Sequence, residues 1–391
     1  MSSATSIPAV GESIAIARKA QGLTQAALAH QAGVSVSLLS KVEIGDRPAS
    51  HAVVAAVAKA LHTTPSSLYR GGADPAGPDL GPVRAALRRY NLPGDAEGID
   101  PCELAGRVQK ASDLRAATAY NELVEMLPDL IDDAVSHAYA ADDPVAWTTL
   151  NDVLGSAHGA AYRLGHHDLA EVIAARQEWA ASRTWNPLAQ AVASGQQASA
   201  HQAAGDFGYG VAACESAITV LSSANLTGRE AVIVRGTLHL RAAAMAAHLN
   251  ERASAVSHLH YADGLAEQIH GPDQTAHNLL FGSANVALHR LAAYVTLDEP
   301  DEAATMLDEG FSKQGLTPTR LGHLHVDAAR AHLALGDRDA ALAELRKGDE
   351  VAPQMVSVHP MAREVGRVLV STARRSNPDL VEMALRLGVD F

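Results

Sequence analysis

The chain has 391 residues, of which 47% are hydrophobic but only 4% aromatic, and it carries a formal net charge of −13. That length predicts at least two domains, and an interior built from Ala, Leu and Val suits closely packed helices. Cys102 and Cys214 exclude a disulfide framework and lack the paired spacing of a zinc site; the opening MSSATSIPAV has no signal-peptide character, and no 18-residue apolar run follows, so a cytoplasmic protein with no membrane partner is expected.

Charge divides the chain. Residues 1–70 hold six basic side chains, Arg18, Lys19, Lys41, Arg47, Lys59 and Arg70, against three acidic ones, a net of +3; the remainder has 25 basic and 41 acidic residues, a net of −16. A polyanion such as DNA is attracted to the first part and repelled by the second.

Residues 1–10 read as a flexible tail. From Gly11, Ile14, Ala17 and Ala20 recur at helical spacing, and Gly22 is placed to end the helix. Thr24 caps a second helix ending near Gln31 with Leu28 inward. Ser35 caps a third, Val36 to Ile44, with Leu39 and Val42 inward. Between them Gly33 sits where the chain needs a positive φ. A fourth helix is expected from about Ser50 to Leu61 and a short fifth from Pro65.

Gln25, Leu28-Ala29, Ala32-Gly33-Val34-Ser35, Leu39-Ser40-Lys41 and Glu43-Ile44-Gly45 resemble the phage repressor and Cro type of helix-turn-helix, the XRE family, over residues 11–70. The resemblance implies a double-stranded DNA operator as partner, read by the N-terminal part of the third helix. With Leu39 and Val42 inward, Val36, Ser37, Ser40 and Lys41 face outward as the base-reading set, while Gln25, Ser35 and Arg47 are expected on phosphates. Arg18 and Glu43 match the family's internal ion pair, the alternative being two solvated charges.

Residues 71–99 read as a linker containing a basic helix, Val83 to Arg89. Its Arg84, Arg88 and Arg89 lie either on DNA backbone or, the favoured reading, on a solvated face. From residue 100 to 391 the pattern is helical with no convincing strand. A turn signal recurs at Leu164-Gly165, Ala204-Gly205, Leu249-Asn250, Leu297-Asp298 and Leu335-Gly336. The last copy, around Gly336, Ala341 and Pro353, is similar to the tetratricopeptide (TPR) consensus. The expected fold is therefore all-α: a five-helix helix-turn-helix domain followed by a TPR-like α-solenoid, whose helix pairs stack around a concave surface. This order resembles actinobacterial regulators joining an XRE domain to a TPR-like sensor, with the run Phe281 to Arg290 and the ending Leu385 to Val389 as further points of likeness. It also resembles the peptide-sensing RRNPP regulators in domain order.

Polar residues at helical spacing on first helices are the candidate ligand contacts. Asn278, Phe281, Asn285 and His289 follow i, i+3, i+7, i+11; Arg235 and His239 form a second face, Trp147, Asn151 and His158 a third, and Gln190, Ser194, Gln197 and His201 a fourth. The alternative for each is the solvated side of an amphipathic helix. The pairs His258/His260 and His323/His325 place their rings on different helix faces, which disfavours a metal. No phosphate loop, zinc-protease motif or nucleophile elbow is found, so neither catalysis nor a cofactor is expected. The expected function is a homodimeric, sequence-specific transcription regulator sensing a peptide or small molecule; the competing expectation is a DNA-tethered TPR scaffold that recruits a protein.

Overall fold

The computed structural model describes residues 10–70, 78–373 and 377–389; the expected N-terminal tail up to residue 9 and positions 71–77 of the expected linker lie outside them. The described residues form 21 helices and one two-stranded hairpin.

The first five helices are α1 (Val10–Ala20), α2 (Gln25–Ala32), α3 (Val36–Glu43), α4 (His51–Ala60) and α5 (Pro65–Arg70). Local chemistry sets their limits. The side chains of Thr24, Ser35 and Ser50 accept from the backbone N–H groups of Ala27, Leu38 and Val53, and Gly33 ends α2 at φ 67°. Ile14, Leu28, Leu39, Val42, Val54 and Leu61 make one small core. The α1–α3 crossing depends on Gly11, because a Cβ there would lie 1.9 Å from the carbonyl oxygen of Val42.

A larger helical, repeat-like region follows. It begins with α6 (Gly81–Arg88), α7 (Pro101–Ala116) and α8 (Tyr120–Ala141). The basic helix expected in the linker is α6, and it packs on α8. Val83, Ala86 and Leu87 are buried, Arg84 pairs with Asp168 at 2.8 Å, and Arg89, which caps its end, pairs with Asp132 at 2.5 Å.

Helix pairs come next: α9 (Pro144–Arg163) with α10 (His167–Arg183), α11 (Pro187–Ala204) with α12 (Phe207–Ser223), and α13 (Arg229–His248) with α14 (Arg252–Ala266). After the hairpin β1 (Gln274–Ala276) and β2 (Leu279–Phe281) come α15 (Ser283–Thr296) with α16 (Pro300–Glu309) and α17 (Pro318–Ala334) with α18 (Arg338–Val351). The chain ends in α19 (Pro353–Val358), α20 (Pro360–Ser371) and α21 (Pro378–Leu387). The five recurring turns have one basis. Gly165, Gly205, Asn250, Asp298 and Gly336 all adopt φ between 61° and 85°, which Gly, Asn and Asp tolerate best.

Helices α7, α9, α11, α13, α15 and α17 pack successively on one another, and α7 also meets α17. The row therefore closes into a ring. The Thr319 hydroxyl seals it by donating to the carbonyls of Arg115 and Ala116 at 3.1 and 2.9 Å.

The expectation of no strand after residue 100 is corrected by the hairpin, which pairs Gln274 with Phe281 and Ala276 with Leu279. Its turn residues His277 and Asn278 have φ 48° and 61°, so the helical spacing from Asn278 to His289 does not exist.

Candidate functional site

The outward face of α3 follows from its inward one. Leu39 and Val42 are buried, leaving Val36 47% exposed and Ser37 and Lys41 exposed, with Ser40 half-buried. The Ser35 hydroxyl is occupied as the helix cap. Gln25 does not stand free: its amide nitrogen donates to Glu43 Oε2 at 2.7 Å. That bond extends a bidentate pair in which Arg18 Nε and Nη2 meet Glu43 Oε1 and Oε2 at 2.7 and 2.8 Å, while Arg18 Nη1 donates to the Leu23 carbonyl. The two side chains are only 10% and 4% exposed, so this is a buried pair tying α1 to the end of α3. Burial alone would raise the Glu43 pKa, but the bonds from Arg18 and Gln25 prevail and hold it below the usual value.

Residues 14–68 match the helix-turn-helix family model. This segment is a helix-turn-helix domain. A DNA-binding transcription regulator is the class of protein to which such a domain belongs. No curated protein matches the chain. The solved structure of BtubC (BKLC) from P. vanneervenii aligns with 66% of this chain and 96% of its own at 17% identity, with a TM-score of 0.39, a likeness too low to carry any argument. No helix among the described residues is long and apolar enough to cross a membrane.

The helix-turn-helix domain is docked on the helical region through α4 and its neighbouring loop. His51, at the start of α4, has Nε2 2.9 Å from the Gln202 carbonyl and Nδ1 3.2 Å from the Tyr69 hydroxyl, and it packs against Phe207 and His248. Ala55 joins the core of α11 to α14, and a Cβ on Gly205 would come 2.3 Å from its own Cβ. The backbone N–H of Val10 donates to Glu364 on α20. Arg47, expected on phosphate, instead meets Asp298 at 3.0 Å, with side chains 50% and 71% exposed.

The expected ligand contacts disperse. Trp147 is core: it is 2% exposed, edge-on to Tyr139 and Trp179, and its Nε1 donates to Asp142. Asn151 is fully buried, and its carbonyl accepts from Gln177. Arg235 reaches the Leu226 carbonyl at 3.5 Å. His239 turns towards α14, with Nδ1 3.0 Å from His258 Nδ1 and its ring against Tyr261; burial, then the charges of His258 and Arg235, lowers its pKa to about 4.

Asn278, Phe281 and Asn285 build a corner. Asn278 Nδ2 donates to the Asp152 carbonyl, Phe281 covers Gly236, and Asn285 Nδ2 donates to the Leu280 carbonyl. Asp273 completes it by accepting from the backbone N–H groups of Ala284 and Asn285 at 3.0 and 2.7 Å, capping α15. Of this set His289 lies among the interior arginines, where Arg320, Arg241 and Arg163 act on it.

Sequence reasoning missed that interior. Arg115, Arg163, Arg241 and Arg320 project there from α7, α9, α13 and α17, with His158, His323 and His359 beside them. Arg115 Nη2 donates to the Asn278 carbonyl at 3.0 Å, Arg163 contacts His323 Nε2, and Arg241 contacts the Gly195 carbonyl and Ser199 hydroxyl. Burial first, then the neighbouring guanidiniums, lowers Arg115 to about 10 and Arg320 to about 9. The same forces take His158 to about 3 and leave His289 and His323 well below their usual value, so the imidazoles are neutral at pH 7.

Proposed function

We infer that the chain is a sequence-specific transcription regulator of the XRE type, with Val36, Ser37, Ser40 and Lys41 reading bases and Ser35 and Arg47 on phosphates. The observation that carries this reading is the face of α3: three of the four side chains are exposed although α4 and Arg47 are docked. Lys41 suits guanine O6 or N7 and Val36 a thymine methyl, each contact worth about 1–3 kcal/mol of discrimination.

The helical region, TPR-like in its paired helices, is the sensing and dimerising part. One such reading helix makes few base contacts. Two copies on half-sites about 34 Å apart, one turn of the duplex, supply the missing specificity. A peptide or small molecule regulates by binding one arrangement of docked and released domains better than the other, since only differential affinity shifts such an equilibrium. The docking contacts of His51, Ala55 and Arg47 are the element so biased.

A gel shift on the DNA upstream of the protein's own coding sequence tests the reading. A salt-sensitive, sequence-dependent shift is expected, and Ser37→Ala with Lys41→Ala should remove the sequence dependence. A shift indifferent to those changes refutes it.

A further inference from the structure

Eleven of the 25 arginines of this chain are held in ion pairs. Arg18, Arg47, Arg84, Arg89, Arg107, Arg252, Arg290, Arg330, Arg346, Arg367 and Arg386 each lie within ion-pair distance of a carboxylate. The four arginines inside the ring are not among them, and they lie close enough to act on one another. Among the described residues no carboxylate pairs with Arg115, Arg163, Arg241 or Arg320, and the hydrogen-bond partners that three of them do have are neutral: carbonyls, a hydroxyl, a side-chain amide and an imidazole. The acidic group that acts on Arg320 is Asp273, and both its oxygens already accept backbone N–H bonds.

Concentrating four like charges inside a ring of helices is unfavourable unless something of opposite sign enters. Two further features show a site prepared for it. His158 is 3% exposed, yet its Nε2 has no hydrogen-bond partner, and the buried Nε of Arg115 has none either. As whole residues the four arginines are half-buried, and burial is the main force on Arg115, Arg241 and Arg320.

We propose that the interior of the helical ring is the binding site for a small, multiply charged oxyanion, a phosphoryl or polycarboxylate compound, held between Arg115, Arg163, Arg241 and Arg320. Guanidinium presents a planar fork that meets the paired oxygens of phosphate or carboxylate. Four forks arriving from four helices match an anion with charges on more than one group, and the neutral imidazoles of His158 and His323 add hydrogen bonding without further charge. The site rests on the sensing role assigned above and gives it a ligand class. It also spans the ring: Arg163 and His323 are 160 residues apart in the chain, so an anion drawing these groups together stiffens the element on which the helix-turn-helix domain is docked.

The test uses the full chain without DNA. Pyrophosphate and citrate are titrated separately by calorimetry and by thermal denaturation, against sodium chloride at matched ionic strength. Saturable binding of at least one, with a rise in Tm that chloride does not give, is expected, and the preferred probe tells phosphoryl from carboxylate chemistry. Arg320→Gln should lower the affinity at least tenfold while leaving the anion-free Tm unchanged or higher, because it relieves repulsion. If that variant fails to fold, Arg163→Gln serves the same purpose. No saturable binding of either probe overturns the proposal, since any small multivalent oxyanion should enter such a cluster. An undiminished response in the variants overturns it too, by placing the anion elsewhere. DNA binding by gel shift is scored separately, so failure here is distinct from failure of the regulator reading.

Discussion

Removing the Arg18 guanidinium strips Glu43 of two hydrogen bonds, at 2.7 and 2.8 Å, and frees the Leu23 carbonyl. A carboxylate that is 4% exposed is then held by the Gln25 amide. Breaking a buried pair from one side costs about 3–5 kcal/mol. At about 1.4 kcal/mol per tenfold, the helix-turn-helix domain should open two to three and a half orders of magnitude more often. Hydrogen exchange on the full chain reads this directly: in Arg18→Ala the amides of α1 and α3 should exchange faster by that factor, while those of α13 and α14 stay unchanged. The double variant Arg18→Met with Glu43→Leu should recover much of the protection, because replacing both charges leaves nothing stranded. The pH dependence carries a sign. The folded Glu43 has a pKa below the ordinary 4.5, so its contribution is complete above that value and is lost as pH falls through the lowered folded pKa. The difference between wild type and Arg18→Ala should therefore shrink on acidification below 4.5. Unchanged exchange in Arg18→Ala, or a double variant as unstable as the two singles summed, refutes the pairing.

Gly205→Val sets a side chain where a Cβ is 2.3 Å from Ala55, in a backbone at φ 82° that branched residues resist. It should release the helix-turn-helix domain, seen by small-angle scattering as an expanded particle with the helical content retained; an unchanged particle means the contact does not hold the domain. Asp298→Asn breaks an exposed pair worth less than about 1 kcal/mol, so Tm should barely move. The freed Arg47 should then make DNA binding more salt-dependent by about 0.9 in the log–log slope, and an equal slope in the variant and in Asp298→Asn with Arg47→Ala removes Arg47 from the phosphate contacts.

What was legible in the sequence was local. Thr24, Ser35 and Ser50 cap helices through side chains three residues from their partners, and the five turns require φ values that favour Gly, Asn and Asp. The Arg18–Glu43 pair was legible only through family likeness, because 25 residues separate its members. The stretch from Asn278 to His289 misled because i, i+3, i+7 spacing identifies a shared face only if the backbone is helical throughout. Instead Gln274–Ala276 and Leu279–Phe281 flank the turn residues His277 and Asn278 and form the hairpin. Trp147 and Asn151 share a helical face whose direction depends on packing between α8 and α10.

The interior arginines show most sharply why the remainder was hidden. Summed by segment, everything after residue 70 carries −16, and that sign sufficed to predict repulsion from DNA. Charge in a ring, however, is not shared evenly between its faces. Pairs such as Arg107–Asp133, Arg346–Asp379 and Arg386–Glu382 spend acidic residues on the outer and terminal helices, whereas Arg115, Arg163, Arg241 and Arg320 meet only because α7 returns to α17. No sequence window contains that closure. An acidic segment with an uncompensated basic interior keeps DNA off its outside while attracting a small anion within, so two polyanions of different size are sorted by access rather than by net charge.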